Sequence, residues 1–300
     1  MPPWLYHTFA TMALWGAWGV LSKPLSNQLS AWQVQSLSTI GLVPVIIWLA
    51  RAPRLTQGTK VRCGFWQAFA AGGIASAGNV ACYQALAVGG NAASVIPFTS
   101  LYPLVTVLLA VGLLGERLNR YQLGGIGASL IALYLLNVGA DAASPLTPWL
   151  GVALIPVLLW GVSALLQKIA TTHGSPELVT LAFLMGFLPL GAVTPAFQSF
   201  EWNLAPRTWF LLIALGFFFA LGNLTLIHAY GRGGRASVVT PLASLYSIVT
   251  IPIAIFLLGE RPGPREGLGI LVALAAIAGL AIESPAAPPA PASPGPNQNR

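Results

Sequence analysis

The chain has 300 residues, of which 56% are hydrophobic and only 7% are Asp, Glu, Lys or Arg. A soluble domain carries about 25% charged residues, so this chain has too little charge to cover a water-facing surface, and most of it is expected to lie in lipid. The net charge of +7 comes from basic residues scattered through short connections, which argues against a nucleic-acid partner and is typical of membrane-protein loops.

Ten apolar runs follow one another along the chain, each near the length of about 20 residues that a membrane-crossing helix needs. No basic segment precedes the first run as in a cleavable signal peptide, so we expect that run to be retained as a helix. The sequence therefore predicts an all-α integral membrane protein with ten transmembrane helices, at residues 4–22, 32–50, 65–87, 92–114, 121–139, 148–168, 177–197, 207–230, 236–258 and 266–283.

The chain repeats itself. Residues 98–117 read FTSLYPLVTVLLAVGLLGER, and residues 242–261, which lie 144 positions later, read LASLYSIVTIPIAIFLLGER. Further matches are the Gly-Asn pairs at 78–79 and 222–223 and, at a separation of 145, the Trp-Gly pairs at 15–16 and 160–161. We interpret this pattern as a duplicated five-helix unit. The predicted boundaries are a first repeat at 1–144, a second repeat at 145–283 and a disordered Pro-rich cytoplasmic tail at 284–300.

The distribution of basic residues predicts the orientation. With both termini in the cytoplasm, ten of the 14 Lys and Arg residues fall inside and four fall outside, as the positive-inside rule favours. Five helices per repeat is an odd number, so the second repeat enters the membrane from the opposite side. The two repeats are therefore predicted to be inverted, and the expected location is the cell (inner) membrane.

Polar side chains within the runs are candidates for a transport pathway, because a polar group in hydrocarbon needs a partner. Asn79 and Tyr83 share one helical face of the third run, and Asn223 repeats the asparagine in the eighth run. These amides either face a central cavity or hold neighbouring helices together.

Hydroxyl groups follow matched prolines in the fourth and ninth runs. Pro97 and Pro241 either only kink these helices or free carbonyls that join the hydroxyls in a neutral polar site. The candidates for substrate binding are thus Asn79, Tyr83, Ser100, Tyr102, Asn223, Ser244 and Tyr246.

Lys23 and Lys168 end the first and sixth runs. These lysines either extend to the lipid headgroups or face opposite mouths of the pathway, where they would attract anionic or zwitterionic solutes. Trp15, Trp18 and Trp160 either line the same vestibule or belong to the interfacial aromatic belts. We take Lys23, Lys168, Trp15 and Trp160 as candidates for gating or charge attraction.

Titratable groups are scarce inside the runs. His228, near the end of the eighth run, is a candidate for proton coupling, although a lone histidine also serves as a simple hydrogen-bonding group. No Asp or Glu lies in the middle of a run, which argues against a carboxylate proton relay. The two cysteines and three histidines have no metal-ligand spacing, so neither a metal nor another cofactor is expected. The glycines of the two GER motifs, Gly115 and Gly259, are predicted to cap their helices, with Glu116 and Glu260 in ion pairs.

These features resemble the EamA family of the drug/metabolite transporter superfamily. The resemblance covers residues 4–283 and rests on the LYP…GER and LYS…GER segments that run into LGGIGASLIALYLL and GLGILVALAAIAGLAI. It implies a basket-like bundle whose cavity is formed mainly by spans one, three, four, six, eight and nine. Members of the family are similar to exporters of amino acids and other small metabolites, and some carry sugars or nucleotide sugars.

The leading hypothesis is a secondary transporter that exports a small polar or zwitterionic, amino-acid-like metabolite by alternating access. The alternatives are a multidrug or cation exporter, a sugar or nucleotide-sugar permease, and a non-transporting membrane sensor. No HExxH helix or P-loop is present, so we do not expect an enzyme. The expected partners are a small-molecule substrate and the lipid bilayer, and monomer and homodimer both stay open.

Overall fold

The computed structural model describes residues 2–88, 92–115, 119–137, 148–259 and 263–282. In this part of the chain, every regular element is helical. The first repeat contains α1 Pro3–Ser26, α2 Ala31–Ser38, α3 Val43–Leu49, α4 Val61–Ala87, α5 Ala92–Thr99, α6 Pro103–Leu114 and α7 Arg120–Asn137. The second contains α8 Pro148–Ala170, α9 Pro176–Met185, α10 Leu188–Val193, α11 Pro206–Gly231, α12 Ala236–Ser244, α13 Ser247–Leu258 and α14 Pro264–Ala281.

Several of these helices follow one another almost without a break. A short 3-10 turn, Thr39–Leu42, joins α2 to α3, and another, Thr194–Ala196, ends the segment of α9 and α10. The described residues thus form helical segments at the places of the predicted runs. Five segments are long and apolar enough to cross a membrane by length and composition: Ala31–Leu49, Pro148–Ala170, Pro176–Ala196, Pro206–Gly231 and Ala236–Ile253. The all-helical membrane fold is confirmed at this level, whereas ten complete crossings stay a prediction.

Matched breaks interrupt the segments of α5–α6 and α12–α13. The first break covers residues 100–102 and the second covers residues 245–246. Each places a tyrosine in a tight turn, because the N–H groups of Tyr102 and Tyr246 donate three residues back, to Thr99 O and Ala243 O, both at 3.1 Å. Pro241 lies inside α12, so the second break is not at the proline that the sequence pointed to.

Close approach of backbones holds the two repeats together. Helix α4 packs along α8 and α9, and α11 packs along α1 and the α2–α3 segment. A Cβ at Gly72 would overlap the carbonyl of Phe183, and a Cβ at the matched Gly216 would overlap the carbonyl of Ser38. These small residues allow helices to touch, as the composition of run 65–87 indicated.

Left-handed glycines end α6 and α13, as predicted. Gly115 has φ 66° and ψ 22° and donates its N–H to Ala110 O, and Gly259 has φ 67°. A glycine adopts this conformation without a Cβ penalty. Glu116, Glu260 and the tail at 284–300 lie outside the described residues, so their predicted roles remain predictions.

Candidate functional site

A cavity lies between the repeats, and the space inside it that the centre of a water molecule can occupy is about 40 Å³. It is bounded by α1, α4, α8, α9, α11 and the two helix breaks. We call it the first cavity. Its lining consists of Trp15, Trp18, Ala75, Tyr102, Trp160, Ser163, Ala164, Gln167, Phe183, Phe219, Asn223, Leu226 and Tyr246.

A smaller cavity adjoins the first, and the space that the centre of a water molecule can occupy in it is about 10 Å³. We call it the second cavity. Trp18 and Phe219 line both cavities. The remaining lining of the second cavity is Gln35, Ser38, Thr39, Leu42, Asn79, Tyr83, Phe187, Leu215 and Gly216. Among the residues described, no Asp, Glu, Lys, Arg or His lines either cavity.

The first cavity contains four buried polar atoms without a hydrogen-bond partner in the described part of the chain: Trp15 Nε1, Tyr102 OH, Tyr246 OH and Gln167 Oε1. These side chains are at most 9% exposed. Leaving such a group unsatisfied costs about 1–3 kcal/mol, so most native buried polar atoms are paired.

The two tyrosines occupy matched positions and face serines of the opposite repeat. Tyr102 lies beside Ser244, and Tyr246 lies beside Ser100. Each serine hydroxyl donates to its own helix, Ser100 Oγ to Ile96 O at 2.7 Å and Ser244 Oγ to Thr240 O at 3.0 Å. The helix breaks therefore bring four predicted site residues to one place.

Each tyrosine also stacks edge-on against a tryptophan. The ring centroids of Tyr246 and Trp15 are 5.9 Å apart, and those of Tyr102 and Trp160 are 6.0 Å apart. The two tryptophans belong to the Trp-Gly pairs of α1 and α8. They line the first cavity instead of lying only at a lipid interface.

The matched tryptophans differ in their hydrogen bonds. Trp160 Nε1 donates to Asn79 Oδ1 at 3.1 Å and to Ala75 O at 3.3 Å. Trp15 Nε1 has no partner in the described part, and Asn223 Nδ2 donates to Phe219 O of its own helix at 2.9 Å. The two asparagines consequently line different cavities, Asn79 the second and Asn223 the first.

Lys23 and Lys168 lie half-buried outside the cavity linings and bind backbone at helix ends. Lys23 Nζ donates to Leu86 O at 2.9 Å, at the end of α4. Lys168 Nζ donates to Gly234 O at 2.8 Å and to Tyr230 O at 3.4 Å, at the end of α11. A cation at a helix C-terminus satisfies carbonyls and interacts favourably with the helix dipole.

His228 belongs to a titratable cluster outside both cavities. Its Nδ1 lies 2.8 Å from Leu224 O, and its Nε2 lies 3.8 Å from Glu177 Oε1. The ring of His7 is 5.6 Å away. Sequence reasoning did not find this cluster, because α1, α9 and α11 bring its members together from distant positions.

Several lining residues were also missed. Phe183 and Phe219 read as ordinary apolar residues, and Ser163 resembles the many small residues of packed helices. Gln167 did carry a signal, since it is an amide in an apolar run just before the flagged Lys168. Tyr83 lines the second cavity and accepts a hydrogen bond from Trp18 Nε1 at 3.2 Å.

Comparisons with known proteins agree with this architecture. The model of the EamA-like transporter family matches the chain twice, at residues 3–138 and 147–282. No curated protein matches the chain. A solved structure titled "Crystal structure of protein" is similar with a TM-score of 0.63 and 22% sequence identity, over 92% of this chain and 94% of that chain. At this identity the likeness shows the fold alone.

Proposed function

Because the chain belongs to the EamA-like transporter family of the drug/metabolite transporter superfamily, we propose that it exports a small polar or zwitterionic, amino-acid-like metabolite by alternating access. The observation that carries this proposal is the first cavity, with its aromatic walls and four unpartnered polar atoms. The site would be a substrate site between two repeats, where transporters of this general design bind their solutes.

The chemistry of the first cavity favours a solute without net charge. A monovalent ion would lose its hydration there without a counter-charge in the described lining, which costs several kcal/mol. A zwitterion balances its own charges. Its carboxylate would accept from Trp15 Nε1 and the hydroxyls of Tyr102 and Tyr246, and its ammonium would donate to Gln167 Oε1 and contact aromatic faces.

The unequal tryptophan bonds support alternating access. The Trp160–Asn79 bond is formed, whereas its counterpart between Trp15 and Asn223 is not. In a transporter whose repeats exchange roles, we expect the opposite-facing state to form the second bond and release the first. The substrate would compete with Asn223 for Trp15.

A cation exporter is the second candidate function. The aromatic rings around the first cavity favour it, because a cation over a ring face gains about 0.5–2 kcal/mol. No carboxylate lines the described cavity, so the cation would depend on the rings alone.

Coupling to protons is proposed for His228, with Glu177 as the group that shares the proton. For orientation, we propose that both termini lie in the cytoplasm.

The proposal is tested by profiling metabolites in cells with and without the protein, and then measuring uptake of the leading compounds into proteoliposomes. The Tyr102→Phe/Tyr246→Phe double variant keeps both rings and removes both hydroxyls. We expect it to lower uptake by about tenfold, since each hydrogen bond contributes about 0.5–1.5 kcal/mol. The exposed Tyr6 provides the matched control, Tyr6→Phe.

Two outcomes separate the parts of the proposal. If the folded wild-type protein moves no profiled compound faster than empty liposomes, the transport function is wrong. If the double tyrosine variant transports at the wild-type rate, transport stands but the first cavity is not the substrate site. A panel that includes an amino acid, a quaternary ammonium ion and a sugar distinguishes the candidate substrate classes.

A further inference from the structure

Contacts between the repeats occur in equivalent pairs. In each pair, the matched residues of the two repeats have swapped roles, as in a two-fold related assembly. Gly16 O accepts from Thr250 Oγ1 at 3.2 Å, and Gly161 O accepts from Thr106 Oγ1 at 3.0 Å. The Trp15 indole lies over Gly222, as the Trp160 indole lies over Gly78. Residues separated by 145 positions in α1 and α8, or by 144 in α4 and α11, therefore have equivalent surroundings.

Side-chain size breaks this symmetry at two adjoining positions. Trp18 of α1 and Phe219 of α11 are in contact, with ring centroids 6.0 Å apart. Their matched residues are Ser163 of α8 and Ala75 of α4, and both of these line the first cavity. The first cavity thus lies where the repeat has small residues, and its symmetry-related volume is filled by two aromatic rings.

Trp18 is held firmly in that volume. Its Nε1 donates to Tyr83 OH at 3.2 Å, and its ring also contacts Trp160 at 5.9 Å and Tyr246 at 6.4 Å. The side chain is 3% exposed. The position that matches Tyr83 is Ile227, which has no hydroxyl, so the second repeat lacks this anchor as well as the ring.

We propose that Trp18 and Phe219 form a partition between the two cavities and determine the size of the solute that the first cavity accepts. Both side chains line both cavities, so we expect a solute that passes from one cavity to the other to displace them. The difference in side-chain size between the matched positions is fixed by the sequence. The proposal that this pair determines substrate size rests on the proposed transport function, whereas the proposal that it separates the two cavities does not.

Cysteine labelling tests the partition without a known substrate. Cys63 and Cys82 are replaced by Ser and Ala, and one new cysteine is introduced, either Leu226→Cys in the first cavity or Ser38→Cys in the second. The charged thiol reagent MTSET is applied to intact cells and to inverted vesicles. Leu226→Cys shows the face from which the first cavity is reached, and Ser38→Cys is then labelled from that same face.

Opening the partition with Trp18→Ser and Phe219→Ala is expected to speed labelling of Ser38→Cys by about tenfold, the factor that corresponds to the loss of one strong aromatic contact. The control pair, Trp66→Ser with Phe210→Ala, makes the same chemical changes at exposed positions of α4 and α11 and is expected to leave the rate unchanged. If the double variant does not fold, Phe219→Ala alone is expected to act in the same direction with a smaller factor.

The proposal would be overturned if Ser38→Cys were labelled at the same rate with and without the partition residues. The comparison requires that Leu226→Cys in the same background still reacts, which shows that the first cavity is accessible. The reverse change, Ala75→Phe with Ser163→Trp, fills the first cavity and is expected to slow labelling of Leu226→Cys. Once a substrate is identified, opening the partition should admit larger analogues. If the labelling results are as expected but the protein transports no profiled compound, the proposed function is wrong and the proposed partition is still supported.

Discussion

Trp15 and Trp160 provide an internal comparison, because they occupy matched positions but make different hydrogen bonds. Each indole lies over a glycine and stacks edge-on against a tyrosine. Trp160 Nε1 donates to Asn79 Oδ1 and Ala75 O, whereas Trp15 Nε1 has no partner in the described residues. Substituting each tryptophan by Phe removes the same atoms from matched positions, and only Trp160 loses hydrogen bonds in the described structure.

Trp160→Phe is therefore expected to destabilise the protein more than Trp15→Phe. A net hydrogen bond contributes about 0.5–1.5 kcal/mol, and a buried acceptor left without its donor adds to the cost, so the expected difference is about 1–2 kcal/mol. For a chain of 300 residues, that difference lowers the midpoint of thermal unfolding by about 1.5–3 °C. Unfolding of purified protein in detergent, followed by near-ultraviolet circular dichroism, measures it.

For substrate affinity, we expect Trp15→Phe to have the larger effect of the two variants. Trp15→Phe removes a donor that is available to the solute, and we expect it to weaken binding by about two- to tenfold. Trp160→Phe removes a donor that is already engaged and should change binding less. Equal unfolding midpoints, or a larger loss of stability for Trp15→Phe, would refute the assignment of the two indoles.

Three further predictions concern packing, charge and pH. Gly216→Ala places a Cβ against a facing backbone carbonyl and should lower the stability of the protein by about 1–3 kcal/mol. In Gly112→Ala, the new Cβ meets nothing within 4 Å, so this control should be neutral or slightly stabilising. The midpoints of thermal unfolding of the two variants measure the difference. Lys23→Met and Lys168→Met should each lower stability by about 0.5–2 kcal/mol through the lost helix-end contacts, with an unchanged KM for transport. His228→Gln removes the imidazole that lies 3.8 Å from Glu177 Oε1 and is expected to abolish the pH dependence of proteoliposome uptake.

Each of these predictions has a contrary result. Equal midpoints for the two glycine variants would mean that the helices have room at Gly216. A raised KM with unchanged stability in the lysine variants would restore the hypothesis that these cations attract the solute. Transport that keeps its pH dependence in His228→Gln would exclude this histidine from proton coupling.

Much of the site was visible in the duplicated segments. Tyr102 and Tyr246 were found because a hydroxyl in an apolar run recurs at a matched place, and the structure puts both in the first cavity. Asn79 and Asn223 were paired for the same reason, yet they line different cavities. A sequence match identifies equivalent positions, but it does not show which partner each position has in a given conformation.

The sequence by itself determined the lipid solvent, the helical class, the two repeats and the family, because composition, run length and self-similarity are properties of local segments. Only the tertiary structure decided that Lys23 and Lys168 bind helix ends, that His228 meets Glu177 and His7, and that Asn79 and Asn223 line different cavities. These features depend on contacts between residues far apart in the chain, and no local pattern encodes such distances.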